Sequence, residues 1–509
     1  MRVRMGKLAL GAFVCLAMAG GVQANPERGG ALKVIIDHEP ASLDPIFGNY
    51  PNQDRRYFNL FSESLVIQDR NGNVQPRLAT SWRWLRDGRT LEMKLRDGVQ
   101  FHDGTMMNAE AVKFNIDRAR SPEVQSRARQ YLGDVDSVEV VDRLTVRINL
   151  KRPSGAFMAV LAGVSGTIMS PTAIKSMGAE FARKPVGTGP FKVDKWTSGK
   201  VDVVRFPGYW GIDQQGQKLP YLDRIEAKVV SNSAVKLIEI KGGGAHLIDS
   251  IQVKDFDQVE RTANLKLVDA TQGIAQILAF NNAKPPFDNI ELRKAVSYGI
   301  DRQALEKVIS RGEGVVLKGL EPPTSWAFAP DLAGHPFDPK LAREAYAKSG
   351  HTGPITLIVI QRDPDTQIAQ MLQAMLKESG ITLRIEVLER QAWVERTLRH
   401  DYQMGILRSG LPHPDPDITY SIFYGRDAKQ NYSGVSNPKL WDLIDNARSE
   451  TVQAKRRALY GDIQKTLLND FNQSYLFWRP AKEVQRAEVQ GVANEFAGSW
   501  LYEGIWLKK

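Results

Sequence analysis

The stretch from residue 355 to residue 389 constrains the fold more than any other part of this sequence. Residues 355–360 form an apolar run of the length of a buried strand. Apolar side chains then recur at helical spacing and fall on one face: Ile368, Met371, Leu372, Met375 and Leu376. After Gly380, which suits a helix end, residues 381–387 alternate as a second strand. Strand, helix and strand in this order predict a parallel sheet and therefore an α/β fold.

The loop after the first of these strands is a candidate ligand-binding loop. Ligands of parallel α/β sheets bind beside the carboxyl ends of the strands, which places Gln361, Arg362 and Asp363 at the edge of a cleft. Arg362 is the candidate ligand contact, and the alternative is an exposed arginine that meets only solvent. Trp393, further along the chain, either packs on a ligand or fills the core.

Residues 1–24 have the pattern of a cleaved secretion signal. Three basic residues precede an apolar stretch, residues 8–21, which is too short to span a bilayer comfortably, and a small-residue cleavage site follows at 22–24. The only cysteine, Cys15, lies inside this segment, so the mature chain has no thiol for a disulfide, a nucleophile or a metal site. The pattern predicts a protein secreted to the periplasm, with an uncleaved membrane anchor as the alternative.

Charge and motif content argue against several functions. Once the three basic leader residues are removed, the 68 Lys and Arg become 65 against 58 Asp and Glu, and they are spread along the chain, which argues against nucleic-acid binding. Walker, dinucleotide-loop, G-x-S-x-G and H-E-x-x-H motifs are absent, and the seven histidines lack metal-ligand spacing. We therefore expect no enzyme activity, no cofactor and no metal. Carboxylate pairs such as Asp363/Asp365 and Asp415/Asp417 keep glycoside hydrolysis open.

Four motif blocks occur in order along nearly the whole mature chain. They are residues 43–45 (LDP), residues 95–114 (LRDGVQFHDGT, then NAEAVKF), residues 185–211 (PVGTGPF, a tryptophan and YWG) and residues 279–302 (AFNN, PPFD, RKA and GIDR). In these blocks the chain resembles the family 5 extracellular solute-binding proteins, the dipeptide-, oligopeptide- and nickel-binding type.

The resemblance implies an α/β fold like that of the type II (cluster C) periplasmic binding proteins, with two lobes, a hinge and an extra subdomain. Lobe I is expected at residues 25–66, 190–276 and 486–509, its subdomain at 67–189 and lobe II at 277–485. Two crossing segments near 273–280 and 480–488 are expected to form the hinge. Closure of the lobes then buries the ligand between them.

The function that the resemblance implies is capture of a solute in the periplasm for an ABC importer. The partners are then a small-molecule or peptide ligand and the permease and ATPase complex at the inner membrane, with the binding protein as a monomer. The alternative is a sensory or chaperone-like binding protein that uses the same fold.

The ligand-binding motif of peptide-binding relatives is altered in this chain. In those relatives an aspartate after a W-x-G segment holds the amino terminus of the ligand. Gly410 matches the motif, but Leu411 replaces the aspartate and Arg408 replaces the tryptophan. A buried ammonium needs a charged partner, whereas an arginine binds carboxylate or phosphate through two hydrogen bonds. With Arg362 near the family's carboxylate-binding arginine, the sequence favours an anionic or uncharged solute. A surface salt bridge is the alternative role for Arg408.

Further candidates follow from the same resemblance. Gly48, Asn49 and Tyr50 belong to the loop of the first lobe that faces the cleft in relatives. His413 and Asp415 follow the altered motif, and Asp415 either replaces the missing aspartate or shapes its proline-flanked loop. Peptide, glutathione-like conjugate, opine-like acid and small glycan all stay open as ligands, while the scattered histidines lend no support to nickel or haem.

Overall fold

The structure, a computed structural model, describes residues 25–48, 51–86, 88–411, 413–428, 430–496 and 498–509. The predicted signal segment and two candidate site residues, Asn49 and Tyr50, lie outside these ranges. Within them, no helix combines the length and the apolar character needed to cross a membrane.

Strands and helices are mixed along the chain. The strands are β1 (Ala31–Ile36), β2 (Glu63–Ser64), β3 (Val66–Gln68), β4 (Val74–Pro76), β5 (Ala79–Leu85), β6 (Thr90–Leu95), β7 (Val135–Asp142), β8 (Thr145–Leu150), β9 (Thr167–Ile168), β10 (Phe191–Thr197), β11 (Lys200–Arg205), β12 (Arg224–Val229), β13 (Leu247–Ile248), β14 (Leu265–Phe280), β15 (Val315–Val316), β16 (Ile355–Ile360), β17 (Leu383–Leu388), β18 (Met404–Leu411), β19 (Gln473–Arg486), β20 (Val489–Gln490), β21 (Ala493–Asn494), β22 (Trp500–Leu501) and β23 (Trp506–Leu507). The helices are α1 (Pro51–Phe61), α2 (Ala109–Arg120), α3 (Phe157–Ala162), α4 (Pro171–Met177), α5 (Ser233–Lys241), α6 (Phe256–Glu260), α7 (Ile290–Tyr298), α8 (Arg302–Ser310), α9 (Pro339–Ser349), α10 (Asp365–Glu378), α11 (Arg390–Leu398), α12 (Pro416–Tyr424), α13 (Pro438–Ser449) and α14 (Gln453–Asn469).

In the described part of the chain, eleven strands form one mixed sheet, in the order β10-β11-β12-β1-β13-β19-β14-β18-β16-β17, with β15 paired to β19. Near one end of the order, β16 and β17 run parallel with Ile355 opposite Leu383, and α10 connects them. Gly380 follows α10 with a φ of 82°, a conformation that glycine adopts without a Cβ clash. The predicted strand–helix–strand unit is confirmed.

Two long antiparallel strands, β14 and β19, connect the two halves of the sheet. The pairing between them is interrupted between Asp269 and Gly273. A Cβ on Gly273 would lie 2.2 Å from the carbonyl oxygen of Arg479, so only glycine permits this close approach. Both strands begin before the predicted crossing segments, at Leu265 and Gln473, because β14 and β19 pair with each other on both sides of the interruption.

Apolar side chains of the described residues gather in separate cores along the chain. One core surrounds Phe61 and Trp500 under β1 and β12. A second surrounds Phe101 and Ile116, where α2 packs on the antiparallel sheet β5-β6-β8-β7. A third surrounds Leu372, between α10 and the strands β14, β16 and β18. We propose that these regions are lobe I, the subdomain and lobe II, with the boundaries predicted from the sequence.

Candidate ligand-binding site

Strand β18 ends beside open space at Gly410. Arg408 and Gly410 lie on this strand just before its last residue. Arg408 is opposite Gln276 of β14, and Gly410 is opposite Ile274. A Cβ added to Gly410 would meet nothing within 4 Å. Residues directly opposite each other in antiparallel strands share a face of the sheet, so Arg408, Gly410 and their partners on β14 face the same side.

Arginine side chains converge at this strand end. The Arg408 side chain is half-buried, and its burial, together with the positive charges of Arg362, Arg479 and Arg390, lowers its pKa to about 10. Its Nη1 approaches the carbonyl oxygen of Asp363 at 3.5 Å, a weak contact. We call Arg362, Arg408 and Arg479 the arginine group. The structure thus brings together the two arginines singled out in the sequence and adds a third.

One carboxylate, Asp365, offsets part of this charge. It is fully buried at the start of α10, and Arg362 Nε donates to its Oδ2 at 2.7 Å. Burial raises the pKa of Asp365, while the positive charges of Arg362 and Arg408 oppose that change. Its Oδ1 has no hydrogen-bond partner among the described residues. The arginine group therefore keeps a net positive charge, which suits a carboxylate or phosphate of a ligand.

Two residues of this site, Arg479 and Gln276, were missed by the sequence reasoning. Arg479 lies on β19 opposite Ile274, and Gln276 is the fully buried partner of Arg408. Neither the amide nitrogen nor the amide oxygen of Gln276 has a partner within the described ranges. Buried amides are normally hydrogen-bonded, so Gln276 is a further polar group beside Arg408. The only sequence signal for Gln276 was its position inside the predicted crossing segment 273–280.

Two other candidates, Gly48 and His413, stay predictions. Gly48 is buried and borders a cavity of about 900 Å³. His413 is half-buried, and burial lowers its pKa to about 4, so its imidazole is neutral near pH 7. A neutral imidazole donates or accepts a hydrogen bond but adds no charge to the arginine group.

Asp415 has a structural role in place of the predicted ligand contact. Its two carboxylate oxygens accept hydrogen bonds from Arg456 at 2.6 and 2.7 Å, and both side chains are almost fully buried. Its Oδ1 also accepts from the backbone N–H of Asp417 and so caps the start of α12. A carboxylate already paired in this way cannot take a ligand ammonium without giving up Arg456. The alternative that Asp415 shapes its loop is the one that the structure supports.

The side chains of Leu411 and Trp393 are buried and are not placed to contact a ligand. The Leu411 side chain is fully buried, and its carbonyl oxygen accepts from the indole nitrogen of Trp478 at 2.9 Å. Trp393 is 3% exposed and packs against Ile358 and Ile360. Both side chains therefore fill the interior of the proposed lobe II, as large apolar groups usually do.

Residues 67–189 and residues 277–485 touch each other through backbone groups. The N–H of Gly155 donates to the carbonyl oxygen of Arg448 at 2.9 Å, and Arg456 Nη1 donates to the carbonyl oxygen of Gly155 at 3.2 Å. Gln68 Nε2 donates to the carbonyl oxygen of Pro414 at 3.1 Å. These bonds hold the proposed subdomain against the proposed lobe II, so the structure is a form in which the two are in contact.

Glu321 is a buried acid beside the Asp415–Arg456 pair. Its side chain is 2% exposed, and neither carboxyl oxygen has a hydrogen bond of good geometry within the described residues. The pKa of Glu321 is raised from 4.5 to about 7, chiefly by burial; the charge of Asp415 adds to the increase, and hydrogen bonding to Ser325 and Tyr420 opposes it. The folded protein therefore holds a proton here that the unfolded chain releases above pH 4.5.

Replacing this acid, Glu321→Gln, is expected to remove a pH-dependent loss of stability. In the native protein the free energy of unfolding should fall as the pH rises from 4.5 to about 7, because the folded state binds more protons over that interval. Urea denaturation at several pH values should show the variant more stable than the native protein above pH 7 by up to about 3 kcal/mol. The difference should vanish at pH 4, and the exposed Glu344→Gln should show none. A difference independent of pH would contradict the assignment.

A mixed sheet with two long crossing strands and a group of arginines at a strand end is consistent with the fold of the type II periplasmic binding proteins. The structure superposes on the ABC transporter substrate-binding protein CtaP of Listeria monocytogenes with a TM-score of 0.84 at 22% identity, covering 95% of this chain and 100% of that one. It also matches the periplasmic binding protein DppA of Helicobacter pylori, solved with the peptide STSA, with a TM-score of 0.82 at 25% identity, covering 95% and 99%. These similarities confirm the predicted fold class.

The sequence comparisons identify the family. Residues 73–431 match the profile of the bacterial extracellular solute-binding proteins, family 5 Middle. The glutathione-binding protein GsiB of Shigella flexneri is 31% identical over 512 residues, covering 98% of this chain and 96% of GsiB. The chain belongs to family 5 of the extracellular solute-binding proteins, and it is the periplasmic solute-binding component of an ABC importer. This function is favoured over the sensory or chaperone-like alternative.

Proposed function

We propose that this chain captures a small acidic solute, with at least one carboxylate, and delivers it to its permease. The observation that carries the proposal is the arginine group at the end of β18. Burial and like charge both disfavour the charged form of Arg408 in the empty protein. An anionic ligand would reverse that penalty, because a guanidinium binds a carboxylate through two parallel charge-assisted hydrogen bonds.

The second support for an acidic solute is the missing anchor for a ligand ammonium. Leu411 is apolar and buried, and Asp415 is engaged by Arg456. Neither therefore supplies the free carboxylate that a peptide amino terminus needs, and leaving a buried ammonium unpaired is costly. The unpartnered amide of Gln276 offers an uncharged donor and acceptor for the rest of the ligand.

Among named relatives, GsiB is called a glutathione-binding protein and DppA was solved with a peptide. Glutathione carries two carboxylates, which the arginine group favours, on a peptide-like backbone; its single ammonium would need a partner other than Leu411 or Asp415. Glutathione is therefore the first solute to test, with neutral dipeptides as the contrasting class.

The test is to identify what the purified protein carries. The protein would be isolated from periplasm without refolding and denatured, and the released molecules analysed by mass spectrometry. Calorimetry with glutathione and with the neutral dipeptide Met-Leu would follow on ligand-free protein. We expect a carboxylate-bearing compound in the released fraction and no binding of Met-Leu. Release of a mixture of neutral short peptides, or tighter binding of Met-Leu than of any acid, would overturn the proposal.

A further inference from the structure

A cavity of about 900 Å³ lies beside Gly48, apart from the arginine group. One wall comes from the subdomain: the short 3-10 helix Arg127–Tyr131 and the adjoining ends of β7 and β8. Gln430, from the segment assigned to lobe II, lines the other side. The cavity therefore lies between the two parts of the chain that backbone hydrogen bonds hold in contact.

The side chains around this cavity are strongly basic. Arg120, Arg127, Arg129 and Lys151 line it, and the described lining contains no aspartate or glutamate. Arg120 and Lys151 donate to backbone carbonyl oxygens at 2.7 and 2.9 Å, and Arg120 also pairs with Asp117 at 3.5 Å. Arg127 and Arg129 are exposed and form no ion pair with any described residue. Charges of one sign in a concave site focus the electrostatic potential and raise the local concentration of oppositely charged solutes.

The cavity is connected to the loop that the sequence assigns to ligand binding. Ser126, at the start of the 3-10 helix, donates from its hydroxyl to the carbonyl oxygen of Ile46 at 3.2 Å, just before Gly48. On the other side, the N–H of Gln430 donates to the carbonyl oxygen of Ile422 in α12, the helix capped by Asp415. One wall is therefore fixed to the loop that ends at Gly48, and the other to α12, the helix that follows β18 in the chain.

We propose that this basic cavity is a second anion subsite, which takes a carboxylate or phosphate of the solute separate from the one held by the arginine group. The inference rests on the proposed function and narrows it to solutes with two anionic groups set apart. In this arrangement Arg127 and Arg129 are the specificity-determining residues, since both are exposed at the cavity and neither forms an ion pair with a described residue; the acidic neighbour of Arg129 is Glu123, outside the lining.

The first test uses pyrophosphate and needs no knowledge of the natural solute. In protein carrying Arg408→Ala and Arg479→Ala, pyrophosphate should still bind, as seen by calorimetry and by ³¹P line broadening. Adding Arg127→Ala and Arg129→Ala should weaken that binding about tenfold or more, the change expected for loss of charge-assisted hydrogen bonds. Arg143→Ala, which removes an exposed arginine of the same subdomain outside the cavity, should leave it unchanged. The subsite proposal would be overturned if pyrophosphate did not bind the Arg408→Ala/Arg479→Ala protein. It would also be overturned if binding were unchanged after Arg127→Ala and Arg129→Ala were added.

The second test asks whether one solute occupies both sites. Glutathione should lose affinity both in Arg408→Ala and in the double variant Arg127→Ala/Arg129→Ala. Glutathione ethyl ester, which lacks the glycyl carboxylate, should stay sensitive to only one of these changes. If the ester lost affinity in both variants, or if glutathione kept its affinity in the double variant, one glutathione molecule would not be contacting both sites. Failure of glutathione to bind at all would count against glutathione as the solute, and the pyrophosphate result would still decide the subsite.

Discussion

Arg408→Ala is expected to weaken binding of the acidic solute at least about 30-fold, since truncating one partner of a buried hydrogen-bonded charge pair costs about 2–5 kcal/mol. The ligand-free protein should not lose stability in the same variant. Its guanidinium has only a weak contact with the carbonyl oxygen of Asp363, and three neighbouring arginines repel it. Calorimetry gives the affinity and urea denaturation gives the free energy of unfolding. If Arg408 had a structural role instead, Arg408→Ala would lower the free energy of unfolding and would not selectively weaken solute binding.

Two further variants separate charge from geometry at this position. Arg408→Lys keeps the positive charge but loses the planar two-donor fork, so its affinity should fall between those of the native protein and the alanine variant. Arg384→Ala removes an exposed arginine of β17 on the same lobe and serves as the control with unchanged affinity. Unchanged affinity in Arg408→Ala would remove this residue from the site and leave Arg362 and Arg479 to be tested.

Asp415→Ala is expected to destabilise the fold by about 3–5 kcal/mol, the usual effect of breaking a buried ion pair by removing one partner. The loss has two physical causes. Arg456 is left buried without its two carboxylate contacts, and α12 loses its N-cap. Because Arg456 also donates to the carbonyl oxygen of Gly155, the contact between the subdomain and lobe II should weaken as well. Urea denaturation of ligand-free protein measures the first effect, and limited proteolysis in the native state measures the second.

The contribution of the ion pair can be separated from that of the cap. The Asp338 carboxylate caps α9 by accepting from two backbone N–H groups and forms no ion pair with any described residue, so Asp338→Ala should cost only about 1 kcal/mol. The combination Asp415→Ala with Arg456→Met should be less destabilising than Asp415→Ala alone, because no unpaired charge is left behind. If Asp415→Ala lowered the free energy of unfolding by no more than Asp338→Ala does, the Asp415–Arg456 pair would add nothing to stability beyond the cap.

The two arginines that sequence reasoning singled out, and that the structure brings together, both have a local signal. Arg408 stood out because it replaces a tryptophan in a motif, and Arg362 because it follows a strand. Arg479 carried no such signal, since it approaches Arg408 only through the pairing of β14 with both β18 and β19. Asp415 was ambiguous for the same reason: its partner, Arg456, lies on a helix distant in the sequence.

By itself the sequence determined the α/β class, the strand–helix–strand unit around Gly380 and the family, because periodicity and motif order are properties of neighbouring residues. Only the tertiary structure decided which polar groups stay available to a ligand. Asp415 is neutralised by Arg456, whereas the charges of the arginine group are only partly offset by Asp365. That difference arises from pairings across the crossing strands and between helices, and the free energy of a buried charge depends on those partners rather than on the residue type alone.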